Sequence, residues 1–358
     1  MSPAEMCMLQ LKTHQLIISV KKTLAHHAST ILPLKNGHVL TAWFGGSRES
    51  SNDVSIWLAE KDEHGFGEPR CVASSLEPHW NPVLFEAADG RILLFYKVGF
   101  PIPDWRTFFL ESADLGRTWT APRELVPGDR DGGRGPVRSK PIRLTSGRVL
   151  APASVERGLW RCFMDLSDDD CHTWHRSNLI EARGTGPLDE GLRKWQAARM
   201  EAWRTGQPFD ETRVPPEYAH GRGVIQPTLW EDTAGVHALL RSGEGQIYRT
   251  DSRDEGETWC EAYPTALPNN NSGIDLTRLD NGLLLLVYNP VGRNFGLRSP
   301  ISVAVSRDAG ETWNRICDLE AEPGEFSYPA IVSRENHIWI TYTHQRENIA
   351  YWEFDWVE

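Results

Sequence analysis

The stretch SADLGRTW at 112–119 returns three times along the chain, as SDDDCHTW at 167–174, SRDEGETW at 252–259 and SRDAGETW at 306–313. An Asp followed two positions later by Gly suits a tight hairpin turn. The carboxylate accepts backbone N–H groups, the Gly takes a positive φ, and the Trp anchors the outgoing strand in the core. In the second copy Cys171 stands at the Gly position. The copies start at 112, 167, 252 and 306, giving spacings of 55, 85 and 54 residues, so the middle interval reads as one period plus an insertion.

Working outward from the octets, short strands recur, each entered by a polar residue and often by Pro. They are HASTILPL at 27–34, NPVLF at 81–85, KPIRL at 140–144, QPTLW at 226–230, SGIDL at 272–276 and YPAIV at 328–332. Most run into a turn signal such as NGH, ADGR, TSGR or DNG and then a strongly apolar strand such as ILLFY or LLLLVY. Each unit therefore reads strand, turn, strand, loop, strand, octet turn, strand. Radial repetition of four-stranded units leaves only short protected edges, so the pattern predicts an all-β, six-bladed β-propeller over residues 1–358 as a single domain. The sixth unit is too short after Tyr328 to hold four strands, and HQLIISV at 14–20 is expected to complete it and close the ring. The exception is 183–222, where LDEGLRKWQAARMEAW spaces Leu192, Trp195 and Trp203 along one helical face ended by Gly206 and Pro208. This predicts a short helical insertion, either a packing decoration or a lid.

Composition bounds the function classes. With 358 residues, 40% apolar and 24% charged, the chain can bury a large core. Glu5, Lys12 and His14 interrupt the N-terminal stretch where a secretory leader needs an apolar run, and no segment approaches the ~18 apolar residues of a membrane span. A cytoplasmic protein without a membrane partner is expected, its oligomeric state unspecified. A net charge of −11 argues against a nucleic-acid partner. The six cysteines, Cys7, Cys71, Cys162, Cys171, Cys260 and Cys317, form no CxxC and read as reduced structural thiols. Neither a metal nor a cofactor is expected.

The octets resemble the Asp boxes, or bacterial neuraminidase repeats, of the sialidase superfamily of six-bladed propellers. The stretches LTAWFGGSRESSNDVSIWL (40–58), HWNPVLFE (79–86), NNNSGIDL (269–276) and EFSYPAIV (325–332) are similar to the intracellular-type branch of that superfamily. The similarity runs from about residue 20 to the C-terminus, apart from the helical insertion.

Propeller topology places the chemistry on the mouth opposite the octets, where the first strands start. Those starts supply His27, Asn81, Lys140, Gln226, Ser272 and Tyr328. Loops on the same mouth supply Arg48, Asp53, Lys97, Arg106, Glu156, Arg157, Arg161, Arg241, Arg293, Arg298, His344 and Arg346. Converging guanidinium groups on an acidic protein suit a ligand with a carboxylate, so a carboxylated sugar is the expected partner. The resemblance implies an exo-glycosidase that releases a terminal acidic sugar such as sialic acid. By that likeness Arg241 and Arg298 clamp the carboxylate, Asp53 is the acid/base and Tyr328 the nucleophile. The resemblance places a further arginine where His27 stands and a carboxylate where Gln226 stands. Arg48 is the candidate to replace the first, Glu325 or Glu156 the second, and a neutral His27 is a candidate acid or base. Two other readings remain open. In one, a uronate-directed lyase neutralises the carboxylate with Gln226, Asn81 and an Arg, while His27, Lys140 or Tyr328 abstracts the proton. In the other, the propeller binds sugar without catalysis.

Overall fold

The computed structural model describes residues 8–130 and 133–357; Cys7 lies outside the described residues. Six antiparallel sheets form six blades. Blade 1 starts with strand Ala25–Pro33, blade 2 with His79–Glu86, blade 3 with Ile142–Arg143, blade 4 with Val224–Asp232, blade 5 with Asp275–Arg278 and blade 6 with Phe326–Arg334. The ring closes through Leu9–Leu16, upstream of the 14–20 expected, which pairs with Asn348–Trp356 as the outer strand of blade 6.

Burial explains why the sheets stack radially. The apolar residues fall into clusters that each join two neighbouring blades. Leu40, Ile56 and Leu58 of blade 1 meet Leu94 and Leu110 of blade 2, and Ile331 and Ile340 of blade 6 meet Val303 and Val305 of blade 5. Sheets with both faces covered in this way read as near-continuous apolar runs, which is why ILLFY and LLLLVY lack alternation.

The octets form one shared hydrogen-bond pattern. In the first, the Ser112 hydroxyl donates to Asp114 (2.8 Å) and accepts the Gly116 N–H (2.8 Å), while Asp114 accepts the N–H (2.8 Å) and hydroxyl (2.6 Å) of Thr118. The same set recurs around Asp169, Asp254 and Asp308. Hydrogen bonds from Thr118 hold the Asp114 carboxyl down to about 2. The Gly serves a second purpose besides its positive φ: a Cβ on Gly116 would stand 2.5 Å from Leu40, and one on Gly256 would stand 2.1 Å from Leu150, each in the preceding blade. Trp119, Trp174, Trp259 and Trp313 pack into the matching seams. The octet is thus a rivet between blades, and Cys171, left-handed at φ 73°, keeps the conformation with its side chain buried among the apolar residues of its seam.

The insertion contains helix α1 (Asp189–Thr205), ended by Gly206 in the left-handed region at φ 68°. Its inward stripe is Leu192, Trp195, Gln196, Arg199 and Met200, at helical spacing. Trp203 departs from the expected buried face: it is 62% exposed, with its ring 4.8 Å from that of Phe100.

Candidate functional site

Four of the six innermost strands carry the same irregularity at their mouth ends. Ala28 and Ser29 oppose one residue of the partner strand, and so do Asn81 with Pro82, Gln226 with Pro227, and Tyr328 with Pro329. These are β-bulges, which re-aim a side chain at a strand end. The first residue of each bulge lies in the left-handed region, at φ 54° for Ala28, 45° for Asn81, 54° for Gln226 and 55° for Tyr328. Arg138 (φ 71°) and Asn271 (φ 59°) are left-handed just ahead of the first strands of blades 3 and 5. Non-glycine residues at positive φ are uncommon and store strain at functional sites.

Asn81, Gln226 and Tyr328 line a central cavity of about 220 Å³. Arg241, Arg298 and Arg346, from blades 4, 5 and 6, share its wall with Glu49 and Glu156. Arg241 is the hub. It donates to Gln226 Oε1 (2.9 Å), Asn271 Oδ1 (2.9 Å) and the Tyr328 phenolic oxygen (2.8 Å). The Tyr328 ring has the guanidinium carbons of Arg298, Arg241 and Arg138 at 5.3, 5.4 and 5.6 Å from its centroid. Glu325 stands at the rim, taking hydrogen bonds from Arg298 Nη1 (3.0 Å) and Arg346 Nε (2.5 Å), while Arg346 also pairs with Glu49. Each guanidinium is therefore oriented by a partner before any ligand arrives, which lowers the cost of binding.

Glu156 follows strand Val149–Val155 of blade 3. Burial pushes its carboxyl up to about 7, against the pull of Arg241 and Lys97. Its backbone is pinned by α1: Gln196 donates to the Glu156 carbonyl (2.8 Å) and accepts the Gly158 N–H (2.8 Å). A carboxyl group poised near neutrality can give and take a proton.

Several expected site residues lie elsewhere. His27 is buried against the Tyr328 ring at 4.3 Å with both ring nitrogens unpartnered, and burial with the nearby arginines holds it far below its ordinary value. It does not line the cavity itself; the Tyr328 ring that it packs against does. Lys97 is a clamp: its Nζ donates to Thr107 Oγ1 (2.7 Å) and to the carbonyls of Gly133, Arg134 and Gly135 (3.0, 2.8 and 3.2 Å). Lys140 is committed to Asp275 (3.0 Å) and the Leu276 carbonyl (2.7 Å). Ser272 is buried with its hydroxyl unpartnered, away from the cavity lining. Arg48 and Asp53 are exposed on the 47–54 loop, and Ser47 holds Asp53 through its N–H and hydroxyl, both at 2.9 Å. The residue of that loop that lines the cavity is Glu49. Arg106, Arg157 and Arg161 are spent on Glu77, Asp104 and Glu181. Arg293 and His344 do not line the cavity.

Sequence reading also missed the aromatic walls, Trp80, Trp105, Trp160, His220 and Phe295. Burial lowers His220, so its imidazole is neutral, set edge-on to Trp160 at 5.6 Å and stacked on Phe295 at 6.0 Å. Arg138, 2% exposed, was missed as well. The signal for the bulge positions was the Pro that follows Asn81, Gln226 and Tyr328; Arg138 precedes Ser139 and carried no such mark. Among the described residues no group of three or more His, Cys, Asp or Glu could hold a metal ion, and no helix is long and apolar enough to cross a membrane.

Fold and cavity together define a six-bladed propeller of sialidase-like architecture. The BNR repeat-like domain family model matches residues 37–340, and the chain belongs to that family. Among curated proteins, none matches significantly. Among solved structures, a protein of unknown function from Dyadobacter fermentans aligns over 98% of this chain and 100% of its own, at 16% identity and a TM-score of 0.72. The NanB sialidase of Streptococcus pneumoniae aligns over 96% of this chain and 71% of its own, at 13% identity and a TM-score of 0.68. A leech intramolecular trans-sialidase complexed with 2,7-anhydro-Neu5Ac aligns over 96% and 70%, at 12% identity and a TM-score of 0.65. At these identities the likeness establishes the fold.

Proposed function

We propose that the protein is a sialidase-like exo-glycosidase that removes a terminal carboxylated sugar from a glycan or glycoside. The observation that carries the reading is the convergence of Arg241, Arg298 and Arg346 with Tyr328 in one cavity. Arg346 takes the place that the resemblance assigns to an arginine at His27. Three guanidinium groups in a partly dry pocket favour a carboxylate held by charge-assisted hydrogen bonds. Glu156, with its carboxyl near 7, protonates the departing glycosidic oxygen in the role expected of Asp53. Tyr328 lines the same cavity, and its oxygen, hydrogen-bonded by Arg241, stabilises the positive charge that develops at the oxocarbenium-like centre as the glycosidic bond breaks. Water then adds to that centre and gives its proton to the Glu156 carboxylate, which restores the acid.

Hydrolysis of fluorogenic glycosides of N-acetylneuraminic acid and glucuronic acid tests the proposal. Turnover of either, with loss in Tyr328→Phe and Glu156→Gln but retention in Asp53→Asn, is expected. Binding without turnover across the panel would overturn the enzymatic reading. Gln226 favours a second reading, elimination from a uronate. Its neutral amide sits 2.9 Å from Arg241 where hydrolysis by the resemblance would call for a carboxylate. Lysis leaves an unsaturated sugar that absorbs in the ultraviolet, whereas hydrolysis does not, so one absorbance trace separates the two.

A further inference from the structure

Beside the central cavity lies a second, largely apolar one of about 140 Å³, roofed by α1. Phe100, Pro101 and Pro103 form one side, and Met200 with the Arg199 stem forms the helical side. The Arg199 head group is drawn off by Glu211, with Nε–Oε1 and Nη2–Oε2 both at 2.9 Å, so it brings little free charge to the compartment. Ile102, Glu156, Trp160 and His220 line both cavities and form the wall between them.

That shared wall has a chemical consequence if the central cavity holds the sugar, a premise that rests on the function proposed above. The group that protonates a glycosidic oxygen must sit between the sugar being released and the group that leaves. Glu156 is the carboxyl group common to the two compartments. We infer that the compartment beneath α1 is the leaving-group subsite and that the natural substrate joins its carboxylated sugar to an apolar group, such as an aromatic ring or a short alkyl chain, at the scissile bond. Size agrees, since an apolar cavity of roughly 150 Å³ accommodates one benzene ring. Polarity agrees too. A sugar in the leaving position would bring several hydroxyls against Phe100, Pro101, Pro103 and Met200, whose side chains offer none of them a hydrogen bond. The insertion thus acts as a specificity element, and Gln196 ties it to the acid's own backbone.

The experiment compares benzyl with methyl glycosides, each of N-acetylneuraminic acid and of glucuronic acid. The two alcohols differ little as leaving groups, so the ratio of their kcat/KM values reports the pocket. A benzyl advantage of about tenfold or more is expected for whichever sugar is turned over. Met200→Gln, nearly isosteric, and Met200→Glu should drive that ratio toward one, whatever they do to absolute rates; circular dichroism confirms that the variant scored is folded. Turnover with equal benzyl and methyl rates, or a benzyl preference that survives both substitutions, overturns this inference and leaves the glycosidase reading standing. If neither sugar is turned over, the glycosidase reading fails, and calorimetry decides the subsite alone: tighter benzyl than methyl binding, lost in Met200→Gln, supports it. Equal binding, or none by any of the four, overturns it.

Discussion

Glu156→Gln should make the protein more stable and less active at once. Burial holds the Glu156 carboxyl at about 7, where an unfolded chain would have a value near 4.5. Between those values the folded chain keeps a proton that the unfolded chain has released, so native stability falls as pH rises from 4.5 to 7 and is flat above. The displacement corresponds to about 3 kcal/mol, an upper bound because Glu156 is only partly enclosed. Glutamine keeps the shape of the protonated acid and never ionises. The variant should therefore match wild type at pH 4.5 and exceed it at pH 8 by up to about 3 kcal/mol, or about 4 °C in Tm for a chain of this length. Thermal melts of both proteins from pH 4.5 to 8.5, read as the difference between them, isolate this one group from every other titration. Turnover should drop by about 10² to 10⁴, with partial recovery on a nitrophenyl glycoside whose leaving group needs no proton. A melting difference independent of pH, or a variant less stable than wild type at pH 8, would refute the assignment of a buried, proton-holding Glu156.

Other perturbations follow from the same geometry. Arg241→Lys keeps the charge but cannot reach Gln226, Asn271 and Tyr328 together, so kcat/KM should fall by about 10² with a smaller loss of stability; steady-state kinetics and a urea melt measure both. Gly243→Ala would set a Cβ 1.6 Å from the Gly221 carbonyl, so a loss of about 3 kcal/mol or more is expected, together with loss of ligand binding through the adjoining His220. His237 is pulled down by burial but raised overall by Asp251 (2.5 Å) and Asp232 (3.0 Å). Because its folded value lies above the unfolded one, its contribution is complete below about 6.5 and fades as pH climbs past the raised value. His237→Gln should accordingly cost about 1–3 kcal/mol at pH 5.5 and progressively less in alkaline denaturant melts.

The architecture is readable from the residues alone, and the reason is locality. Each octet is held by bonds between residues two to four apart, such as Asp114 with Thr118, so its signature survives in a bare string of letters. The unbroken apolar strands likewise record burial on both faces of each blade. The site was legible to the level of Asn81, Gln226, Tyr328, Arg241, Arg298, Arg346 and Glu156, because Pro marks the bulge at the first three and the mouth loops carry the others. The other placements depend on how the blades meet in space. In blade 1 the bulge residue is Ala28 rather than His27, and His27 is buried against the Tyr328 ring, outside the cavity lining. A carboxylate four places along the same loop, Glu49 rather than Asp53, lines the cavity. Lys97 and Lys140 carry charge that the fold spends on carbonyls and on Asp275, pairings more than thirty residues distant along the chain. Arg346 stands beside Glu49 only because blade 6 meets blade 1 when the ring closes, and no local spacing encodes a contact across 297 residues.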